Sequence, residues 1–133
     1  MQISQKVADV IKTAKSKALA TSGNEGINVV PVSMIRVNDD SIWLFDFFMA
    51  KTTSNIKTNP AVGLACWTGM TGIQIKANAE YLVEGELFAE AVSWVKGENP
   101  DRVVKGLLIL TPTQICDISP GGVFCSEDLE LKN

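Results

Sequence analysis

The chain of 133 residues contains no histidine, and this absence removes several classes of chemistry at once. Without an imidazole there is no histidine general base, no histidine-based catalytic triad and no histidine ligand for a metal ion. Asp39 and Asp40 are adjacent, but no third carboxylate lies near them in sequence, so they indicate a turn. The sequence therefore predicts no metal site, and it identifies no catalytic side chain.

Cysteine, positive charge and long apolar runs are also scarce. The three cysteines, Cys66, Cys116 and Cys125, lack CxxC spacing, which favours reduced thiols in a reducing compartment. The net charge of −3 gives the molecule no overall attraction for nucleic acid or an anionic membrane, so an anionic ligand needs a local positive site. No apolar run is long enough to span a membrane, and the N-terminus has no signal-peptide core. We expect a cytoplasmic protein.

The residues that are present describe a globular chain, with 46% hydrophobic and 20% charged residues. Its length predicts a single domain over residues 1–133. Helical spacing predicts helices near residues 3–15 and 87–97, and a short polar helix ends at Asn59. Strand patterns cover residues 17–22, 27–37, 41–47, 61–67, 72–86 and 103–119, and Pro31 gives the second strand a free edge or a bulge. About six short strands predict a small β-barrel with helices at its side.

The short polar helix begins directly after the third predicted strand. Its first turn carries Lys51 followed by three hydroxyl residues, Thr52, Thr53 and Ser54. A helix N-terminus leaves four backbone N–H groups without partners and carries about half a positive charge. Together with the lysine and the hydroxyls it would form a phosphate-sized anion site. The alternative is an ordinary helix cap with a solvated lysine, and the lack of glycines excludes a Walker motif.

Aromatic residues precede this segment, namely Trp43, Phe45, Phe47 and Phe48. Strand alternation places them on both faces, so some belong to the core. We expect at least one of them to line a cleft beside the anion site. A flat aromatic phosphate ester would suit such a cleft.

These motifs resemble the FMN-binding split-barrel family related to pyridoxamine 5′-phosphate oxidase, and especially its small FMN-binding proteins. The similarity extends from about Lys17 to Gly121. Its most specific part is Lys51-Thr52 followed by the spacing N-I-x-x-N-P-x-V over residues 55–62. The Val-Pro-Val-Ser stretch at residues 30–33 and the Ile-x-Ile-Lys strand at residues 73–76, with LILTPTQI downstream, extend it.

The resemblance implies a mainly β (α+β) fold, a split β-barrel of about six antiparallel strands with flanking helices. It also implies a homodimer with FMN at the dimer interface. Lys51 and Thr52 would hold the phosphate, and the flavin ring would lie beside the second strand and the loop that enters the short helix. Gln74 would come from the partner subunit. The cofactor-binding residues that the resemblance implies are Pro31, Val32, Ser33, Met34, Phe47, Phe48, Met49, Ala50, Lys51, Thr52, Trp67 and Gln74.

The sequence departs from the oxidases of this family at three places. Their C-terminal extension carries basic substrate-binding residues, whereas residues 123–133 here are acidic and lack arginine, which predicts against pyridoxamine phosphate as a substrate. Ala50 stands where the oxidases have a second basic phosphate ligand. Ala77 and Asn78 stand where the family often has a glycine.

Three functions are compatible with this pattern. The first is an FMN flavoprotein that acts as a small oxidoreductase or electron-transfer protein with an unknown small-molecule redox partner. The second is a split barrel that has lost its flavin and serves as a binding or structural protein. The third is a split barrel with a different cofactor, such as a deazaflavin or haem, although the absence of histidine argues against a typical haem site. Neither nucleic acid nor a membrane is expected as a partner.

Overall fold

The computed structural model describes residues 1–121 and 125–126. Within these residues the helices are α1 (Gln5–Thr13), α2 (Ala50–Thr58) and α3 (Glu86–Glu98). The strands are β1 (Ser16–Thr21), β2 (Asn28–Pro31), β3 (Ile35–Val37), β4 (Ile42–Asp46), β5 (Ala61–Thr68), β6 (Thr71–Leu82), β7 (Gly106–Asp117) and β8 (Cys125–Ser126). Most of the acidic stretch over residues 123–133 lies outside the described residues.

The strands form one antiparallel sheet in the order β2-β1-β5-β6-β7-β4-β3, with β8 paired to β7. The two edge strands, β2 and β3, are separated in the chain only by residues 32–34. Such a connection spans at most about 14 Å, so the sheet has to curl until its edges approach each other. The mainly β split-barrel prediction is thus confirmed, with three helices beside the sheet.

The predicted second strand over residues 27–37 is wrong in one respect, because the structure divides it into β2 and β3. Pro31 ends β2, since proline has no N–H to donate to a ladder, and Val32 instead donates its N–H to the Lys17 carbonyl at 2.9 Å. The two halves then pair with different neighbours, β1 and β4. This division, together with β8, raises the strand count from about six to eight among the described residues.

Two apolar clusters hold the sheet, and β4 contributes to both. Ile42 and Leu44 face the barrel interior, while Trp43 and Phe45 face α3 on the outside. All five residues of β4 are consequently buried. The long ladder between β6 and β7 places Ile73, Ile75, Ala77 and Ala79, which alternate along β6, inside the barrel. The ladder has a register shift between Lys76 and Ala77 on β6, where Ala77 pairs with Pro112 of β7.

The cysteines divide into two kinds. Cys66 is a buried free thiol, as expected, and burial raises its pKa to about 12. Cys116 and Cys125 form a disulfide, so the expectation of reduced thiols is wrong for this pair. The pairing follows from tertiary structure, because β7 and β8 run antiparallel and place these two residues opposite each other.

Candidate functional site

A cleft of about 260 Å³ lies between the β2–β3 connection and the end of β4. Its lining consists of Val30, Pro31, Val32, Ser33, Met34, Phe45, Phe47, Phe48, Met49 and Arg102. Seven of the twelve predicted cofactor-binding residues are among them: Pro31, Val32, Ser33, Met34, Phe47, Phe48 and Met49. Two segments that are separate in sequence therefore build one mostly apolar wall. Of the four aromatic residues at the end of the third predicted strand, Phe45, Phe47 and Phe48 line the cleft.

The β2–β3 connection offers backbone groups to this cleft. After Val32 donates to Lys17, the chain leaves the β1 ladder, and neither Ser33 nor Met34 belongs to a strand. Peptide groups outside a ladder can make hydrogen bonds to a ligand. This part of the site can therefore recognise polar atoms without committing a charged side chain.

The N-terminus of α2 follows directly after Met49, the last cleft-lining residue of the β4–α2 loop. Met49, the N-cap residue of this helix, makes no side-chain cap hydrogen bond. The first helical hydrogen bond runs from the Thr53 N–H to the Met49 carbonyl at 2.9 Å. The N–H groups of Ala50, Lys51 and Thr52 consequently have no acceptor inside the helix. Together with the exposed Lys51 side chain, they make this turn favourable for an anion.

Asn55 explains how so short and polar a helix stays in place. Its side chain is fully buried and donates to the Thr21 hydroxyl at 3.1 Å and to the Gly26 carbonyl at 2.9 Å. Its amide oxygen accepts the Glu25 N–H at 2.7 Å. These bonds fasten α2 to the β1–β2 turn, which explains physically why Asn55 belongs to the motif that carried the family resemblance.

Thr52, the second residue of the predicted phosphate pair, is buried and takes part in the same docking. Its hydroxyl accepts a hydrogen bond from the Asn28 side chain at 3.1 Å. Gly23 supplies the close approach on the other side, because a Cβ there would lie 2.8 Å from the Asn55 carbonyl oxygen. The helix is thus held by Asn28 near its start and by Gly23 farther along, while Lys51 remains at the surface.

Asp46 is buried at the end of β4 and connects three segments around the cleft. Its carboxylate accepts the Met49 N–H and the Tyr81 hydroxyl, both at 2.7 Å, and its carbonyl accepts the Lys105 N–H at 2.8 Å. Burial first, and then the hydrogen bond and charge of Asp46, raise the pKa of Tyr81 to about 12. Gly106 allows this arrangement, because a Cβ there would overlap the Tyr81 ring.

Arg102 and Lys105 belong to the loop between α3 and β7 and lie over the aromatic wall. The Arg102 guanidinium is 4.7 Å from the centre of the Phe47 ring, and the Lys105 ammonium is 5.1 Å from that of Phe48. Phe47 is 9% exposed, whereas Phe48 is 89% exposed. The cleft therefore has a cationic side that is distinct from the N-terminus of α2.

The remaining predicted residues do not line this cleft within one chain. Trp67 lines a neighbouring depression of about 440 Å³, which shares Val30, Pro31 and Val32 with the cleft. Gln74 lines a third depression of about 500 Å³ on the outer face of the sheet. Ala50, Lys51 and Thr52 form the adjoining turn of α2.

Sequence reasoning missed the contributions of Arg102 and Asp46. Arg102 stands in a loop whose local pattern gives no sign of where it folds, and only the packing of α3 and β7 brings it to the cleft. The role of Asp46 could have been predicted from the sequence, because a carboxylate inside an apolar strand needs hydrogen-bond partners. Among the described residues there is no cluster of three potential metal ligands and no helix long and apolar enough to cross a membrane.

The chain matches a known protein family over most of its length. A family model described as pyridoxamine 5′-phosphate oxidase matches residues 3–117, so the protein belongs to this family. An uncharacterized protein of Methanocaldococcus jannaschii is 33% identical over 108 residues, which cover 77% of this chain and 72% of the relative.

Solved structures with the same fold include the following three. HupZ of Group A Streptococcus has a TM-score of 0.79 at 23% identity, and the match covers 92% of this chain and 98% of that one. An FMN-binding protein of Syntrophomonas wolfei has a TM-score of 0.69 at 19% identity, covering 86% and 89%. HutZ, a haem storage protein of Vibrio cholerae, has a TM-score of 0.66 at 16% identity, covering 86% and 94%. At these identities the structures show a common fold alone.

Proposed function

We propose that the protein is an FMN-binding flavoprotein that acts as a small oxidoreductase or electron-transfer protein. The observation that carries this proposal is the position of the apolar cleft directly beside the uncapped N-terminus of α2. A ligand with a flat ring and a phosphate group needs this combination. The FMN-binding protein of Syntrophomonas wolfei, which has the same fold, supports the choice of FMN as the cofactor.

The residues fit the two ends of FMN in different ways. Lys51 and the free N–H groups of α2 would hold the phosphate. The aromatic and methionine side chains of the cleft would contact the ring, and the backbone of Ser33 and Met34 would orient it. FMN would supply hydride or electron transfer, while the protein supplies position and electrostatics.

We further propose a homodimer in which the flavin site needs both chains. One chain offers a cleft of about 260 Å³, below the roughly 300–1,000 Å³ that is usual for cofactor sites. Strand β2 is a free edge of the sheet. Ile27, directly before this strand, is 87% accessible to solvent, and Val29, within it, is 61% accessible. Trp67 and Gln74 would then complete the site of the partner subunit. The cytoplasmic location stays a prediction.

The proposal is tested by comparing FMN with riboflavin, which lacks the phosphate. Lys51→Ala should weaken FMN binding about ten- to a hundredfold, because a charge-assisted hydrogen bond contributes roughly 1.5–3 kcal/mol. Riboflavin binding should change little. The matched control is Lys57→Ala, which removes the same charge from the last turn of the same helix. An equal loss for both ligands would place the phosphate elsewhere.

The absorption spectrum and mass of the ligand that copurifies with the protein separate the alternatives. FMN supports the proposal, and a deazaflavin or haem would replace it with a different cofactor. Protein that is colourless and binds no added FMN would be a split barrel with a binding or structural role. The haem storage protein with the same fold makes haem the second candidate. The absence of histidine argues against a typical haem site in this chain.

A further inference from the structure

The Cys116–Cys125 disulfide joins a buried residue to an exposed one. Cys116 lies on β7 and is 5% exposed, whereas Cys125 lies on β8 at the surface. Thiol–disulfide exchange begins when a thiolate attacks a sulfur atom that it can reach. Cys125 is therefore the residue at which a small thiol can open the bond.

Strand β8 depends on this bond for its position. It consists of Cys125 and Ser126 alone, and it forms two residue pairs with β7, Cys116 opposite Cys125 and Ile115 opposite Ser126. Even a whole isolated hairpin is marginally stable in water, so two pairs are too few to hold a strand by themselves. Without the disulfide, β8 should leave β7.

The end of β7 has an attachment of its own. The Ile118 N–H donates to the Gly72 carbonyl, and the Ser119 hydroxyl accepts the Gly72 N–H, both at 3.1 Å. These bonds join the residues after β7 to the start of β6. Opening the disulfide therefore releases β8 and leaves β7 in the sheet.

The disulfide lies at the end of a row of residues that crosses the outer face of the sheet. Residues directly opposite each other in antiparallel strands share one face. The registers from β2 to β8 place six residues in this row: Pro31, Ala18, Ala65, Gln74, Cys116 and Cys125. Gln74 is thus the direct neighbour of Cys116 on the same face.

A bond in this position agrees with the predicted cytoplasmic location. Disulfides are rare in that compartment, and those that occur there are usually transient and catalytic or redox-sensing. Exposed disulfides are also the ones that thiols reduce most readily. Cys66 belongs to the buried core inside the barrel, so it cannot replace Cys116 as the partner of Cys125.

We propose that the Cys116–Cys125 pair is a reversible redox switch that controls the contribution of Gln74 to the flavin site. The thiolate of a small thiol attacks the Cys125 sulfur, the bond to Cys116 breaks, and Cys116 leaves as a thiolate that takes up a proton. A second small thiol then displaces the first from Cys125. The protein gains two thiol groups, and the two small thiols become one disulfide.

This inference rests on the proposed function, in which Gln74 completes the flavin site of the partner subunit. In the oxidised form the disulfide fixes the Cys116 side chain beside Gln74. Reduction releases β8 and lets the Cys116 side chain rotate, so Gln74 loses a fixed neighbour. The oxidised form should therefore bind FMN about fivefold or more tightly than the reduced form, as is typical of coupled sites.

Thiol labelling tests whether the pair responds to small thiols in the folded protein. The protein is incubated in mixtures of reduced and oxidised glutathione, labelled with N-ethylmaleimide and analysed by mass spectrometry, while circular dichroism checks that it stays folded. Cys116 and Cys125 should take up label as the mixture becomes more reducing, whereas the buried Cys66 should stay unlabelled. A pair that stays oxidised in every mixture, or reduced in every mixture, would overturn the switch.

FMN titration in oxidising and reducing mixtures tests the coupling to the flavin site. Cys125→Ser cannot form the bond, so it should show the weaker affinity in both mixtures, which separates the switch from a direct effect of glutathione on the flavin. Gln74→Ala should bind FMN with the same affinity in both mixtures, because it removes the residue through which the switch acts. Cys66→Ala is the matched control, and it should keep the difference that wild-type protein shows.

The two measurements distinguish failure of this inference from failure of the proposed function. If FMN binds equally to the oxidised protein, the reduced protein and Cys125→Ser, the coupling to Gln74 is wrong and the flavin proposal stands. If neither form binds FMN, the proposed function fails, and the labelling result alone supports or overturns the redox switch.

Discussion

Single polar residues in apolar surroundings define the candidate site. Asp46, Asn55 and Thr52 are buried, and each has hydrogen-bond partners in an element other than its own. Such groups are costly to bury alone, so they specify one arrangement of the segments that they join. The position of the loop over residues 47–49 depends on this arrangement more than on its own sequence.

Tyr81 should make the stability of the protein sensitive to alkaline pH. Its pKa is raised from 10.0 to about 12 in the folded chain. Above pH 10 the unfolded chain releases the phenol proton while the folded chain retains it, so the free energy of unfolding falls as pH rises toward 12. Urea denaturation between pH 9 and about 12 should show this fall in wild-type protein, with a shallower slope in Tyr81→Phe.

The same experiment has an internal reference in Cys66. The pKa of Cys66 is raised from 9.0 to about 12, so Cys66 also lowers the free energy of unfolding as pH rises. The Tyr81→Phe variant keeps Cys66 and should therefore still show this part of the fall. At neutral pH, Tyr81→Phe should cost about 1.5–3 kcal/mol, because Asp46 loses a charged hydrogen bond. Identical slopes in the two proteins would mean that the Tyr81 hydroxyl does not titrate as its surroundings indicate.

Among the elements, α2 is the one that cannot be stable by itself. It has nine residues, mostly polar, and isolated helices shorter than about 12 residues are marginal in water. Its four buried residues, Thr52, Thr53, Asn55 and Ile56, dock it against the sheet and the β1–β2 turn. Docking therefore replaces intrinsic helix stability, which leaves the first turn free to bind a ligand.

Asn55→Ala should consequently destabilise the protein by about 1–3 kcal/mol, because the Glu25 N–H and the Gly26 carbonyl lose their partner. FMN binding should weaken as well, since the first turn of α2 loses its support. Urea denaturation and FMN titration measure the two effects. Lys57→Ala, on the exposed side of the same helix, should stay within about 0.5 kcal/mol of wild type. A similar small change for Asn55→Ala would show that its buried bonds are replaceable.

For the whole molecule, the division between β2 and β3 leaves a barrel with an open edge. The outer face next to this edge is built from small residues, because Ala18, Ala20, Gly63 and Ala65 meet in the register of β1 and β5. Gln74 is paired with Ala65 at its margin. A flat face of this kind can approach a second copy closely, which agrees with the proposed homodimer.

A mixing experiment tests whether each flavin site draws on two chains. Lys51→Ala and Gln74→Glu should each weaken FMN binding as homodimers, the second by adding a carboxylate beside the cofactor. If Gln74 acts in the partner's site, a heterodimer of the two variants contains one intact site and one doubly altered site. Co-refolding the variants and titrating FMN should therefore restore binding to part of the sites.

The same mixture would show no recovery of FMN binding if the sites were not shared between chains. If Lys51 and Gln74 act within one chain, every site in the mixture carries one alteration and no binding is restored. Light scattering gives the mass of the species that holds FMN. A monomer that retains FMN would exclude the homodimer from the proposal.

Local sequence predicted the elements that depend on local interactions. Helical spacing predicted a helix near residues 3–15, and α1 lies within that range, with Ser4 as its cap. A strand pattern over residues 72–86 predicted β6, and the predicted end of the short polar helix at Asn59 agrees with the C-cap of α2. These signals are readable because each is an interaction between residues only a few positions apart.

Only the tertiary structure decided the features that bring distant residues together. The division of residues 27–37 into two edge strands depends on which neighbours β2 and β3 find. The Cys116–Cys125 pair depends on the register of β8 against β7. Arg102 reaches the cleft because α3 packs outside the sheet and returns the chain beside Phe47. Such contacts arise from the packing of whole elements, and no local period in the sequence encodes that packing.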